Sequence, residues 1–130
     1  MHSIQVRTTA REAMLDITPS LEELLETSGS ASGLMTVYTP HTTTGLTINE
    51  GADPDVCRDI LAHLRTMVPR HPGFRHSEGN SDAHIKATIF GSSVQIIIHD
   101  GRLQLGTWQR VFLGEFDGPR ARTLWVTILT

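Results

Sequence analysis

The segment from Arg70 to Lys86, RHPGFRHSEGNSDAHIK, concentrates His71, His76 and His84 with Glu78, Asp82 and several small polar side chains. Imidazole and carboxylate together bind zinc, manganese or similar divalent ions, and a carboxylate also orients an imidazole from behind. The same groups move protons near neutral pH. No stock spacing, such as two histidines four apart on a helix, is present. The pattern therefore leaves two readings open: the rim of a site, or a solvated glycine-containing loop. His84 opens an element, a short third helix at DAHIKATIF predicted to be capped by Ser81 or Asp82, which would hold its ring in place.

A second block, YTPHTTTGLTINEGADPD, sets His41 beside three threonines and places Asn49, Glu50 and Asp53 ahead of a helix. With Gly45 to Asn49 as a strand, Leu46 and Ile48 face the core while Thr47 and Asn49 face away. Amides and carboxylates at a strand end, near the positive end of a helix dipole, suit an anion or a metal-bound phosphate. The plain alternative is that the threonines are strand-favouring surface residues and Asp53 only caps. A third block, GRLQLGTWQRVFLGEFDGPR, puts Gly106 and Thr107 before Trp108 and Gln109. Such a turn lets backbone approach a ligand, and an indole can wall a pocket for a flat ring. Trp108 as a core or interface residue is the competing reading. Phosphate-loop, dinucleotide-binding and nucleophile-elbow patterns are absent. Cys57 falls on an apolar helix face and reads as packing. His2, His63 and His71 read as surface residues, and His99 as a neighbour of a hairpin turn.

These blocks need elements to hold them. HSIQVRT alternates as a first strand, and TPSLEELLETSG is a helix with Thr18 as predicted cap and Pro19 in the first turn. GLMTVYT is a buried strand. A second helix begins at ADPDV, with Asp53 as cap and Pro54 first, and cannot continue through Pro69. From Gly91 the period becomes two. SSVQIIIHDGRLQLGTWQRVFLGEF holds two or three strands with a hairpin turn at Asp100-Gly101, and ARTLWVTILT is the last strand. The fold class is α+β, mostly antiparallel sheet in a sandwich-like arrangement with two main helices, as one domain over residues 1–130. Several strands are apolar on both faces: Ile97 opposes Ile96 and Ile98, and Trp125 and Leu129 oppose Leu124 and Val126. Two layers of cover are needed, from a second sheet, another subunit or both.

The whole chain bounds the function. Hydrophobic residues are 38% of 130, and with 11 glycines the share reaches the globular norm. The formal net charge of −3 offers no footprint for nucleic acid or an anionic membrane. A single cysteine excludes an internal disulfide and suits a reducing compartment. No apolar run reaches the ~18 residues of a spanning helix, so a cytoplasmic location is expected.

Together, HTTTGLTINEGADPDV, RHSEGNSDAHIKATIFGSS and GRLQLGTWQRVFLGEFDGPR resemble the YjbQ family, also called the secondary thiamine-phosphate synthase family, over essentially the whole chain. The resemblance implies a small sandwich-like fold that assembles as a homotrimer. It also implies an enzyme that joins an aminopyrimidine diphosphate to a thiazole phosphate, with diphosphate release, as a secondary activity. Leaving-group charge in that reaction is neutralised by a divalent ion (zinc, magnesium or manganese) or by cationic side chains. The matching positions are His41, His76 and His84 as metal ligands, with His76, His84, Glu50 and Asp53 in catalysis and Glu78 and Asp82 nearby. Thr43, Asn49, Trp108, Gln109 and Arg120 would bind substrate, with Arg102 a further phosphate contact. Gly51 departs from the family, where Asn usually follows the Asn-Glu pair. The other function class is a non-catalytic homotrimer that binds a small anion or metal for regulation or interaction.

Overall fold

The computed structural model describes residues 1–71 and 73–130; Pro72 of the histidine-rich segment lies outside the described residues. Two antiparallel sheets form the frame. The first, in order β1-β8-β3-β5-β6, uses β1 (His2–Arg7), β8 (Ala121–Leu129), β3 (Gly33–Tyr38), β5 (Ser93–His99) and β6 (Arg102–Leu103). The second, in order β2-β7-β4, uses β2 (Ala13–Asp16), β7 (Gln109–Glu115) and β4 (Thr44–Glu50). Three helices complete it: α1 (Thr18–Ser28), α2 (Pro54–Met67) and α3 (Ser81–Phe90). The expected α+β sandwich-like class is what the chain adopts. The four-residue strand β2 is an addition to the expected set, and the third helix is a full ten residues.

Alternation decides which face of each strand is inside. Met35, Val37, Ile96, Ile98, Leu124 and Val126 of the first sheet meet Leu46, Val111 and Leu113 of the second. Leu21 and Leu25 of α1, four apart and so on one helical face, close the end of this core. A second cluster joins Leu64 of α2, Ala83 and Ala87 of α3, and Phe116. The outer face of the second sheet is thereby covered. The outer face of the first sheet keeps Ile97 61% and Leu129 71% exposed on either side of Leu34, with Trp125 on the same face opposite Tyr38, four residues along β8 from Leu129.

Helix starts depart from expectation in two places. α1 begins at Thr18 itself, with Ile17 at its N-cap and no side-chain cap bond, while Asp16, just before the cap, accepts from the Thr18 N–H at 2.9 Å. The Thr18 hydroxyl instead accepts from the Val111 N–H at 2.8 Å and ties the helix to β7. In α3 neither Ser81 nor Asp82 caps; Asn80 precedes the helix and makes no side-chain cap bond. Asp82 is turned inward, where Arg11 donates to both its oxygens and Lys86 Nζ donates at 3.1 Å. Lys86 is only 1% exposed and donates also to Glu12 at 3.1 Å. A buried charge survives only when paired. Burial alone would raise the Asp82 pKa, but Arg11 and Lys86 overcome it and hold the carboxyl below its ordinary value. Asp53 does cap α2, accepting from the Asp55 N–H at 2.9 Å. The Asp100-Gly101 turn has positive φ at both residues, 50° and 71°, as a tight hairpin of this hand requires.

Candidate functional site

Two adjoining clefts open where the chain leaves β3, where α3 begins and where β7 turns into β8. The larger, about 500 Å³, runs past Tyr38, Pro40, His41, His84 and Thr88. The other, about 380 Å³, includes Thr43, His76, Glu78, Asn80, Asp117, Arg120 and Arg122 in its lining. Pro40, His41, Thr42 and His84 belong to both. The polar rim read from RHSEGNSDAH is therefore a cleft wall.

His41 has a fixed role in hydrogen bonding. The Thr123 N–H donates to its Nε2 at 2.9 Å, so that nitrogen carries no hydrogen and the neutral ring bears its proton on Nδ1. Burial, and then the charge of Arg122, push its pKa below the ordinary histidine value. The ring thus stays neutral near physiological pH and presents Nδ1–H as a donor. A neutral imidazole has one lone pair, and here the backbone already uses it. The expected three-imidazole metal centre of His41, His76 and His84 does not fit this donor set. Among the described residues no group of three His, Cys, Asp or Glu side chains stands close enough to hold an ion. His76 and His84 do meet, with ring centroids 5.3 Å apart and edge to face. Glu78 stands 3.9 Å from His76 Nε2, beyond hydrogen-bond length.

Beneath the histidines lies a charged network dispersed in the sequence. Arg122 donates through Nε and Nη2 to the two oxygens of Glu115, and through Nη2 to Thr43 Oγ1 at 2.9 Å. Glu115 also accepts from the Thr8 hydroxyl at 2.8 Å and from the Asp117 N–H at 3.1 Å. Burial alone would raise the Glu115 pKa; Arg122, Thr8 and Asp117 overcome it and lower it. Arg120 donates to Asp117 at 3.1 Å, and Asn80 Nδ2 donates to the same oxygen at 2.7 Å. Arg122 lines the cleft, and among the described residues its Nη1 has no acceptor. The arrangement offers N–H donors to an anion, with the arginine charges shared with Glu115 and Asp117 and imidazoles beside them for proton transfer.

Sequence reasoning named His41, Thr43, His76, His84, Glu78 and Arg120 here, and the structure brings them together. It missed Asn80, Glu115, Asp117 and Arg122. Asn49, Glu50, Asp53, Trp108 and Gln109 lie elsewhere. β4 begins at Thr44 beside the cleft and pairs Glu50 with Gln109 at its other end, about 20 Å away at ~3.3 Å per residue. There the Gly51 N–H donates to the Trp108 carbonyl at 2.9 Å, and Gln109 Oε1 accepts from the Gly106 N–H at 2.8 Å. This braced turn presents Trp108 62% exposed, so the indole is not core, and it lines neither cleft around His41. A Cβ at Gly51 would stand 2.1 Å from Arg110 Cγ, so the glycine accommodates that side chain's packing. Arg102 sits on the far side, in a cavity against α1. Asp82 is committed to Arg11 and Lys86.

A two-sheet α+β domain with a donor-lined cleft at the mouth of α3 is the class that fold and site define. Comparison places it more closely. The family described as UPF0047 protein YjbQ-like matches residues 2–130, and the chain belongs to that family. A UPF0047 protein of Methanocaldococcus jannaschii is 49% identical over 125 residues, covering 96% of this chain and 91% of that protein. The UPF0047 protein YugU of Bacillus subtilis is 45% identical, covering 99% and 98%. The crystal structure of a YjbQ/UPF0047 family protein from Clostridium acetobutylicum superposes with a TM-score of 0.96 at 47% identity, covering 99% of this chain and 100% of that one. A conserved hypothetical protein from Thermus thermophilus gives 0.93, also at 47% identity. Among the described residues no helix is long and apolar enough to cross a membrane.

Proposed function

We propose that the His41–His84 cleft binds the phosphate groups of a phosphorylated small molecule, and that the protein acts as a thiamine-phosphate synthase-like transferase. In that reaction the aminopyrimidine methylene carbon–oxygen bond breaks, diphosphate leaves, and the thiazole nitrogen forms the new bond to that carbon. The observation that carries the reading is the fixed Nδ1–H of His41 beside Arg122 and Arg120 in one cleft. Donors aimed at developing charge on a leaving group stabilise the transition state. Arg120 and Arg122 offset the diphosphate charge, His41 donates to one of its oxygens, and His84 or His76 carries a proton to it. No step requires the metal that the donor set does not fit.

The test is diphosphate release from the two substrates by wild type and by His41→Ala, His84→Ala and Arg120→Ala. A loss of about 10²–10⁴-fold is expected for His84→Ala if His84 carries the proton, and of about 10²–10³-fold for His41→Ala and Arg120→Ala, the scale of one lost donor to developing charge. Turnover unchanged in all three variants would overturn the proposal. Both clefts stand open to solvent, which favours a second reading, an anion-binding module without turnover. Anion binding with no diphosphate release by wild type would support it.

The same reading includes a closed homo-oligomer, a trimer by the family resemblance. Tyr38 lines the larger cleft and stacks on Trp125, with ring centroids 5.8 Å apart, so the cleft is continuous with the apolar outer face of the first sheet. A second copy over Ile97, Trp125 and Leu129 would shield both from water. Light scattering is expected to give three times the 14.3 kDa chain mass; a monomer that persists at all concentrations would rule this assembly out.

A further inference from the structure

Besides the carboxylates of Glu78 and Asp117, the smaller cleft has one buried acceptor that its N–H donors leave unexplained. Asn80 is 6% exposed and lines the cleft. Its Oδ1 is the one buried side-chain nitrogen or oxygen among the described residues without a hydrogen-bond partner. The amide cannot simply be turned round. Nδ2 lies 2.7 Å from the Asp117 carboxylate, and placing Oδ1 there would set two acceptors against each other. Arg120 pairs with the same carboxylate, and the Asp117 N–H is held by Glu115. Asn80 is thus oriented from behind, with its acceptor left over. Nor does Asn80 owe this orientation to capping, since its side chain makes no cap bond to α3. Buried acceptors without partners are rare and costly in native proteins, so this one calls for a hydrogen that the protein does not supply.

We propose that Asn80 Oδ1 accepts a hydrogen bond from the O–H of a protonated phosphate, while His41 Nδ1–H, Arg120 and Arg122 donate to its other oxygens. This rests on the reading of the cleft as an anion site, but not on any reaction there. A set made only of donors would hold sulfate and phosphate alike. Adding one fixed acceptor selects the anion that keeps a proton near neutral pH. Hydrogen phosphate has that proton and sulfate does not. Asn80 is a specificity-determining residue in this account, and the ligand class is a phosphate that binds with a hydrogen of its own.

Calorimetric titration of the whole protein with sodium phosphate and with sodium sulfate, at matched ionic strength and near-neutral pH, tests this without any substitution. Phosphate is expected to bind at least about 10-fold more tightly, the scale set by one hydrogen bond to a buried group. Asn80→Ala should weaken phosphate to the level of sulfate and leave sulfate unchanged. Equal affinity of wild type for the two anions would overturn the inference while the anion site stands. Binding of neither would overturn both. A phosphate preference that survives in a folded Asn80→Ala would also overturn the inference, because the acceptor would then be the Glu78 or Asp117 carboxylate of the same cleft. If Asn80→Ala does not fold, Asn80→Asp, which keeps an acceptor there, is expected to keep the preference.

Discussion

Glu115→Ala is expected to lower the stability of this protein by about 3–5 kcal/mol, the cost of stranding one partner of a buried ion pair. Glu115 is fully buried, and Arg122 is almost as deep. Both Glu115 oxygens are engaged, by Arg122, Thr8 and the Asp117 N–H. Removing the carboxylate leaves the guanidinium in a low-dielectric interior with, among the described residues, only Thr43 as acceptor. The double change Glu115→Leu with Arg122→Met should recover most of the loss, because no charge is then buried. Urea unfolding of the single and double variants measures both terms. A single-variant loss under about 1 kcal/mol would mean that the pair is solvated and contributes like a surface bridge.

The same pair sets a pH dependence. The folded pKa of Glu115 lies below its ordinary value, so the unfolded chain takes up the proton first as pH falls. The stabilisation is complete above the ordinary carboxylate range of about 4.3 and is lost as pH falls through the lowered folded value. Asp82, lowered by Arg11 and Lys86 against the effect of burial, loses its contribution in the same direction. His41 acts at higher pH. Its folded pKa is below the ordinary value, so protonation favours the unfolded chain and stability falls as pH drops below about 6.5.

Legibility in the sequence followed how local each signal is. Pro19 and Pro54 marked the starts of α1 and α2, and period-two runs marked the longer strands, because these depend on near neighbours. β2 escaped because AMLD is too short to show a period, and pairing with β7 supplies most of its definition. The site was half visible. His41, His76 and His84 announce themselves by type. Arg122 and Glu115 do not, although a signal existed. Arg122 shares its face of β8 with Leu124 and Val126, and Glu115 shares its face of β7 with Val111 and Leu113, all buried. An opposite-charge pair at inward positions near the ends of two strands is what a buried ion pair looks like in sequence. Asn80 had no comparable mark, since only the tertiary arrangement shows that its Oδ1 lacks a partner. The far placement of Trp108 was also hidden: a motif close to others in type can lie a whole strand length from them.

The packing of α3 onto the second sheet gives the other large expected effect. Gly45 of β4 and Gly114 of β7 are direct partners across the ladder, and together they leave a hollow for Phe90 at the end of α3. A Cβ at Gly45 would fall 2.4 Å from Phe90 Cβ and 3.1 Å from the Gly91 carbonyl oxygen. Neither obstacle is the free end of a flexible chain, so the helix itself must shift. The Leu46 N–H donates to that same carbonyl at 3.0 Å, and lifting α3 stretches this bond as well. Gly45→Ala is therefore expected to destabilise by about 1–3 kcal/mol, the usual cost of overpacking a close contact. The consequence reaches the cleft, because α3 carries His84 on the side away from the buried Lys86 pair. On the transferase reading proposed above, a displacement on the order of 1 Å between His84 and His41 would lower turnover about 10²-fold. Anion affinity should change less, since His41, Arg120 and Arg122 lie outside α3. Unfolding by urea, anion titration and diphosphate release on one preparation separate these terms. Wild-type stability within about 0.5 kcal/mol would show that the helix can slide over an added methyl, and that Gly45 does not set the position of His84.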